Sequence, residues 1–237
     1  AAMESKGMRI GSLLVMLAAV VTLPVPAAAA EASAAQELRA ALRATPDASR
    51  GAQLFANCAV CHGADGNGAR SGAVPVIAGQ HFRVLVKQLV DYRHKRRWDV
   101  RMEHFADEHH LTSPQAIADV AKYASGLPRG WQVGIGTGEY LAHGAKVYFR
   151  LCESCHGPVG EGDPQQFVPQ LAGQYYEYLL RQLHDAVEGR RPNMGRRHVR
   201  LLEDLELADL AGVSDYLSRL VPATARDATI AAAEGRR

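Results

Sequence analysis

The sequence predicts an all-α protein made of two tandem domains, and three observations predict it. Displacing the chain by 94 positions lays Cys58, Cys61, His62, Gly63, Gly66 and Gly68 on Cys152, Cys155, His156, Gly157, Gly160 and Gly162. Apolar residues recur at helical spacing, and no segment sustains the alternation of a half-buried strand. Each copy of the repeat holds one Cys-x-x-Cys-His segment, and these two segments use all four cysteines of the chain.

The repeat continues without a gap. Val74, Pro75, Ala78, Gly79 and Gln80 meet Val168, Pro169, Ala172, Gly173 and Gln174, and Leu85, Gln88, Leu89 and Asp91 meet Leu179, Gln182, Leu183 and Asp185. Further on the displacement becomes 93, pairing Ile117, Val120, Tyr123 and Leu127 with Leu210, Val213, Tyr216 and Leu220. A duplication read first prevents a misread fold. It divides the 237 residues into a first domain over 49–128, a linker over 129–138 and a second domain over 139–221, with a tail over 222–237. Each half is near the lower size limit for a self-sufficient core, so something must help it fold.

Lys6 and Arg9 precede an apolar run from Ile10 to Ala30 that Pro24 and Pro26 interrupt. The order of basic, apolar and small residues is that of a secretory signal, and the uninterrupted apolar core is too short to span a bilayer. The expectation is a signal over 1–30, cleaved near Ala30, then an N-terminal extension over 31–48; the rival is an uncleaved membrane anchor. A short helix precedes each motif, over Arg50–Asn57 and Tyr140–Leu151. A second follows the Gly-rich loop, with Phe82, Leu85 and Leu89 on one face and Tyr176, Leu179 and Leu183 on its counterpart. A third starts at Ser113, with Pro114 at its first position, and its counterpart spans Leu202–Leu220. A formal net charge of +2 and 22% charged residues point to neither nucleic acid nor an acidic partner.

Cys-x-x-Cys-His is the attachment signature of c-type haem. Two thiols three residues apart on a helical turn reach the two vinyl groups of one porphyrin, and the adjacent imidazole faces the iron. A redox dithiol does not require the histidine, a zinc site would be one four-ligand centre rather than two equivalent ones, and disulfides leave both histidines unexplained. The expected haem-binding residues are therefore Cys58, Cys61, Cys152 and Cys155, with His62 and His156 as axial ligands of two covalently bound haem c groups. Haem would also supply each small half with the apolar centre that its length lacks. The carbonyls near Pro75 and Pro169 are candidates to orient these histidines, unless the prolines only stiffen a turn.

For the sixth ligand, the sequence offers Met102 and Met194, the two methionines outside the expected signal, each in the segment between the second and third helices of its half. Thioether ligation would raise the potential. The rivals are the histidines His104, His109 and His110 behind Met102, and His198 behind Met194. The run Arg93–Arg101 is expected to be a solvated basic face, or else to touch haem propionates or an acidic partner.

Two Cys-x-x-Cys-His-Gly segments, each followed by a Gly-containing loop, the strings "PVIAGQ" and "PQLAGQ", a helix with a Gln-Leu pair and a late methionine, resemble the diheme cytochrome c4 family of class I cytochromes c over Ser49–Leu220. The resemblance implies two tandem class I cytochrome c domains related by a pseudo-twofold axis. It implies a periplasmic electron carrier rather than an enzyme, with Met102 and Met194 as the distal ligands. It also implies redox protein partners: a quinol–cytochrome c oxidoreductase or a dehydrogenase as donor and a terminal oxidase as acceptor. The chain departs from the family's pattern in its extension and in longer segments after the two methionines. The alternatives are the cytochrome subunit of a sulfide- or alcohol-oxidising flavoprotein dehydrogenase, and a diheme peroxidase, which needs an open iron.

Overall fold

The computed structural model describes residues 27–131 and 134–222. The expected signal, apart from its last residues, and nearly all of the expected tail lie outside the described residues. Five helices form the first half: α1 (Ala27–Arg43), α2 (Ala48–His62), α3 (Phe82–Arg93), α4 (Val100–Phe105) and α5 (Pro114–Gly126). In the second half α6 (Leu141–Val147) passes through a π-helical turn, Tyr148–Cys152, into α7 (Glu153–His156), and α8 (Tyr176–Val187), α9 (Arg196–Glu203) and α10 (Leu207–Arg219) follow. Among the described residues there is no sheet, only an isolated bridge between Asp163 and Val168. No helix among them is long and apolar enough to cross a membrane.

Local chemistry sets the helix starts. Asp47 caps α2 by accepting from the backbone N–H groups of Ser49 and Arg50, and Ser113 caps α5 ahead of Pro114. Inside each half the motif helix crosses the last helix: α2 lies on α5, and α6 on α10. Glycine permits the approach. A Cβ on Gly51 would lie 2.0 Å from the carbonyl oxygen of Asp119, and one on Gly144 would lie 2.0 Å from the backbone of Gly212. Phe55, Val86, Val90, Ile117 and Val120 fill the first core; Val147, Tyr148, Leu179, Val213 and Leu217 fill the second.

Three features differ from the expectations. The helix ahead of the first motif does not end at Asn57 but runs through the motif to His62, because Gly51, Phe55 and His62 stay on its inward face. Met102 lies on the short helix α4, whereas Met194 lies in the turn between α8 and α9, immediately before the N-cap Gly195. The extension after residue 30 is helical. Ala34, Leu38, Ala41 and Leu42 of α1 share one face and pack into the first core against α3 and α5. Glu37 on the same helix pairs with Arg93 and with His94.

The two halves meet about a pseudo-twofold axis, and the bonds across it come in equivalent pairs. The side-chain amide of Gln80 donates to the carbonyl of Gln170 (2.9 Å) and accepts from its N–H (3.0 Å). The amide of Gln174 does the same to Val76, at 2.8 and 3.0 Å. His81 Nε2–H donates to the carbonyl of Glu161 and Tyr175 Oη–H to that of Asn67, each at 2.6 Å. On the axis, the buried guanidinium of Arg129 donates to the carbonyls of Ala78 and Ala172 at 3.1 and 3.0 Å. One side chain thereby serves two equivalent acceptors of the duplication.

Candidate haem sites

The last turn of α2 carries Cys58, Cys61 and His62; the π turn and α7 carry Cys152, Cys155 and His156. The four thiols are unpaired, with Cys61 and Cys155 exposed and Cys58 and Cys152 half-buried. Burial pushes the Cys58 and Cys152 thiols up to about 11, which keeps them protonated at neutral pH. The one cluster of potential metal ligands among the described residues is His104, Asp107 and His110, so the cysteines do not assemble a shared four-ligand zinc site.

Both motif histidines are buried, and each is oriented the same way. His62 Nδ1 lies 3.0 Å from the carbonyl oxygen of Pro75, and His156 Nδ1 lies 3.3 Å from that of Pro169. A carbonyl only accepts, so Nδ1 carries the proton and Nε2 keeps its lone pair for a metal. Burial lowers the pKa of both imidazoles, that of His156 to about 4, and holds them neutral. The carbonyls are placed by tight loops. Gly68 and Gly162 have φ of +69° and +74°, and a Cβ on either would meet the Val74–Pro75 or Val168–Pro169 carbonyls within 2.5 Å. The glycines after each motif thus fold the following proline back onto the motif histidine.

Around the candidate sixth ligands the halves differ. Met102 is half-buried on α4, while His104 is 62% exposed and turned toward Asp107 (3.7 Å) and His110. In the second half Met194 packs on the apolar cluster of Ala186, Leu202 and Leu210. His198 lies half-buried with its ring centre 6.1 Å from that of His156.

The basic run is solvated only in part: Lys95 and Arg101 are exposed, but the other arginines are engaged. Arg93 pairs with Glu37, Arg96 reaches Glu31 and Asp91, and Arg97 is buried between the halves, donating to Gln88, Tyr178 and Gln182. Burial alone would depress the Arg97 guanidinium, but Tyr178, Tyr92 and Asp91 outweigh it and hold its pKa above the ordinary value. Arg191, its equivalent in the repeat, is pushed down to about 10 by burial and by the charge of Arg97. Arg191 Nε and Asn193 Oδ1 have no hydrogen-bond partner. The buried Arg97 and the half-buried Arg191 beside it fit a group that brings carboxylates, as the propionates of haem do. The sequence reading missed Arg191 in this role. The displacement of 94 that pairs it with Arg97 was the available signal.

An all-helical tandem fold, two buried and identically oriented motif histidines and two free cysteine pairs define a c-type cytochrome with two haem domains. The cytochrome c family model matches residues 48–127 and again 141–220. The chain is 33% identical to cytochrome c4 of Pseudomonas aeruginosa over 185 residues, covering 75% of this chain and 90% of that protein. It is 34% identical to cytochrome c4 of Azotobacter vinelandii over 197 residues, with the same coverages. The crystal structure of reduced recombinant cytochrome c4 from Pseudomonas stutzeri superposes with a TM-score of 0.66 at 30% identity, over 75% of this chain and all of that one. The chain belongs to the cytochrome c4 family. It is a diheme electron-transfer protein with two haem c groups, not an enzyme.

Proposed function

We propose that the protein is a periplasmic carrier that takes electrons one at a time from a respiratory or dehydrogenase donor and passes them to a terminal oxidase. Cys58 with Cys61 and Cys152 with Cys155 would hold the two haems, each thiol adding across a porphyrin vinyl group with its sulfur on one carbon and its hydrogen on the other. His62 and His156 would hold the two irons on one side, and Met102 would be the other ligand of the first. Bound haem supplies the reversible one-electron iron couple. The chain's own residues fix the imidazole tautomer, exclude water and neutralise the propionates.

The observation that carries this reading is the matched pair of contacts from His62 to Pro75 and from His156 to Pro169. Each presents one neutral nitrogen beside a cysteine pair. Intact mass of the exported holoprotein should equal the chain from about residue 31 plus two haem masses. Acid–acetone should leave the haem on the protein, and neither reduced haem should bind carbon monoxide rapidly. Extractable haem would sink covalent attachment, and rapid carbon monoxide binding would sink the carrier reading for that site.

A second reading, the cytochrome partner of a dehydrogenase, has support of its own. The chain is 34% identical over 145 residues to the thiosulfate dehydrogenase electron acceptor of Stutzerimonas stutzeri. It also superposes on part of a thiosulfate dehydrogenase from Marichromatium purpuratum, with a TM-score of 0.64 at 27% identity over 73% of this chain and 40% of that one. Size-exclusion chromatography from the native host separates the readings: a free carrier elutes alone, a subunit with its dehydrogenase.

A further inference from the structure

We propose that the sixth ligand of the second haem iron is His198 rather than Met194, so that this haem is held by two histidines. The inference rests on the diheme reading above and adds a ligand that the motif does not name.

The first observation is geometric. The rings of His156 and His198 have centres 6.1 Å apart. Imidazole binds first-row metals at about 2 Å, and its ligating nitrogen lies about 1.1 Å from the ring centre, so two imidazoles on opposite sides of one iron have centres roughly 6.2 Å apart. His156 Nδ1 is taken by Pro169, which leaves Nε2 as the nitrogen available to iron. Among the described residues the ring of His198 has no hydrogen-bond or ion-pair partner, and it lies half-buried beside Arg191. The lone pair of that imidazole is therefore free for a ligand or metal.

The second observation is Met194 itself. Its side chain packs on the cluster of Ala186 of α8, Leu202 of α9 and Leu210 of α10. That contact accounts for the residue as an apolar filler that ties α9 to α8 and α10.

The third is register. The duplication holds a displacement of 94 from Cys58/Cys152 through Arg97/Arg191 to Leu111/Leu205. His198 falls 42 residues after His156, as His104 falls 42 after His62. Met194 falls 38 residues after His156, against 40 for Met102 after His62. The methionines are therefore not equivalent positions of the repeat, whereas the histidines are. The equivalence is not carried into the first half's structure, where His104 is turned out to Asp107 and His110. The chain then holds one His/Met and one His/His haem, and the bis-histidine iron has the lower potential because thioether favours the ferrous state. Electrons on the molecule would rest on the first haem.

The test uses the oxidised holoprotein and reads the weak near-infrared sulfur-to-iron band, calibrated per haem. One thioether-ligated iron per two haems is expected. Met194→Leu should leave the band and both midpoints unchanged, and His198→Met should double the band and raise the lower midpoint. His198→Ala should open one reduced haem per chain to carbon monoxide and close it again with added imidazole. Two thioether-ligated irons in the native protein, or loss of band intensity in Met194→Leu, would overturn the assignment. A native protein with no such band supports His198 and removes Met102 as the first ligand. Fewer than two covalent haems per chain would instead defeat the diheme reading itself.

Discussion

Gln80 closes both main-chain hydrogen-bonding groups of Gln170, ninety residues away in the other half, with a single side-chain amide. Gln174 does the same for Val76. Two buried strips of backbone that no helix satisfies are paired by side chains from the opposite half. The interface is therefore part of the folding of each half.

Gln80→Leu should leave the N–H and carbonyl of Gln170 buried without partners, at a cost of about 1–3 kcal/mol for each unsatisfied group. Thermal unfolding of the holoprotein should fall in temperature and broaden as the halves lose cooperativity. An unchanged, single sharp transition would show that the interface contributes nothing.

Gly68→Ala should destabilise the first half alone. The residue sits at φ +69°, and its Cβ would press on the Val74 carbonyl at 2.4 Å. Left-handed strain costs about 1–3 kcal/mol, and the clash adds to it. The shift should also loosen Pro75 from His62, so the first haem's absorption should be lost at lower denaturant than the second's. Gly162→Ala should reverse that order.

Asp119 predicts an acid dependence. Its side chain is 3% exposed and accepts from Arg50 Nε (2.8 Å), the backbone N–H of Asp47 and Gln115. Burial opposes its ionisation, but Arg50, Asp47 and Gln115 outweigh burial and hold its carboxyl below the usual carboxylate range. The unfolded chain thus takes up this proton at higher pH than the folded one. The stabilisation is complete above about pH 4 and is lost as pH falls through the lowered folded value. Asp119→Asn should be less stable than the native chain at pH 7, with the difference shrinking below pH 4. Denaturant titrations at the two pH values read it directly.

Helix α1 should be required for the first half's full stability. Ala34 and Ala41 are fully buried against α3 and α5. Ala41→Leu should overpack the seam by about 1–3 kcal/mol. Amide exchange should rise in α1 and α3 while the second half stays protected. Equal protection throughout would show that α1 rests on the domain without supporting it.

Much of the protein was legible in its sequence, because the signals involved are local or repeated. A displacement of 94 pairs whole strings of residues, and Cys-x-x-Cys-His concentrates its chemistry within one helical turn. The tandem organisation, the helical class, the attachment cysteines and the motif histidines follow from these alone. Helix α1 carried a readable face in Ala34, Leu38, Ala41 and Leu42, but only its seat on α3 and α5 explains why that face is helical.

What lies opposite the motif histidines depends on contacts that no local spacing specifies. Composition favoured the two methionines, and only packing places Met194 on Leu202 and Leu210 and brings the ring of His198 within 6.1 Å of that of His156. The basic run from Arg93 to Arg101 read as a surface because charge is usually solvated. Tertiary structure instead buries Arg97 against Tyr178 of the other half. The sequence by itself determined the two Cys-x-x-Cys-His motifs and that there are two haem domains. Only the tertiary structure decided which face of each short helix turns inward, because burial is set by the partner surface that the second half supplies.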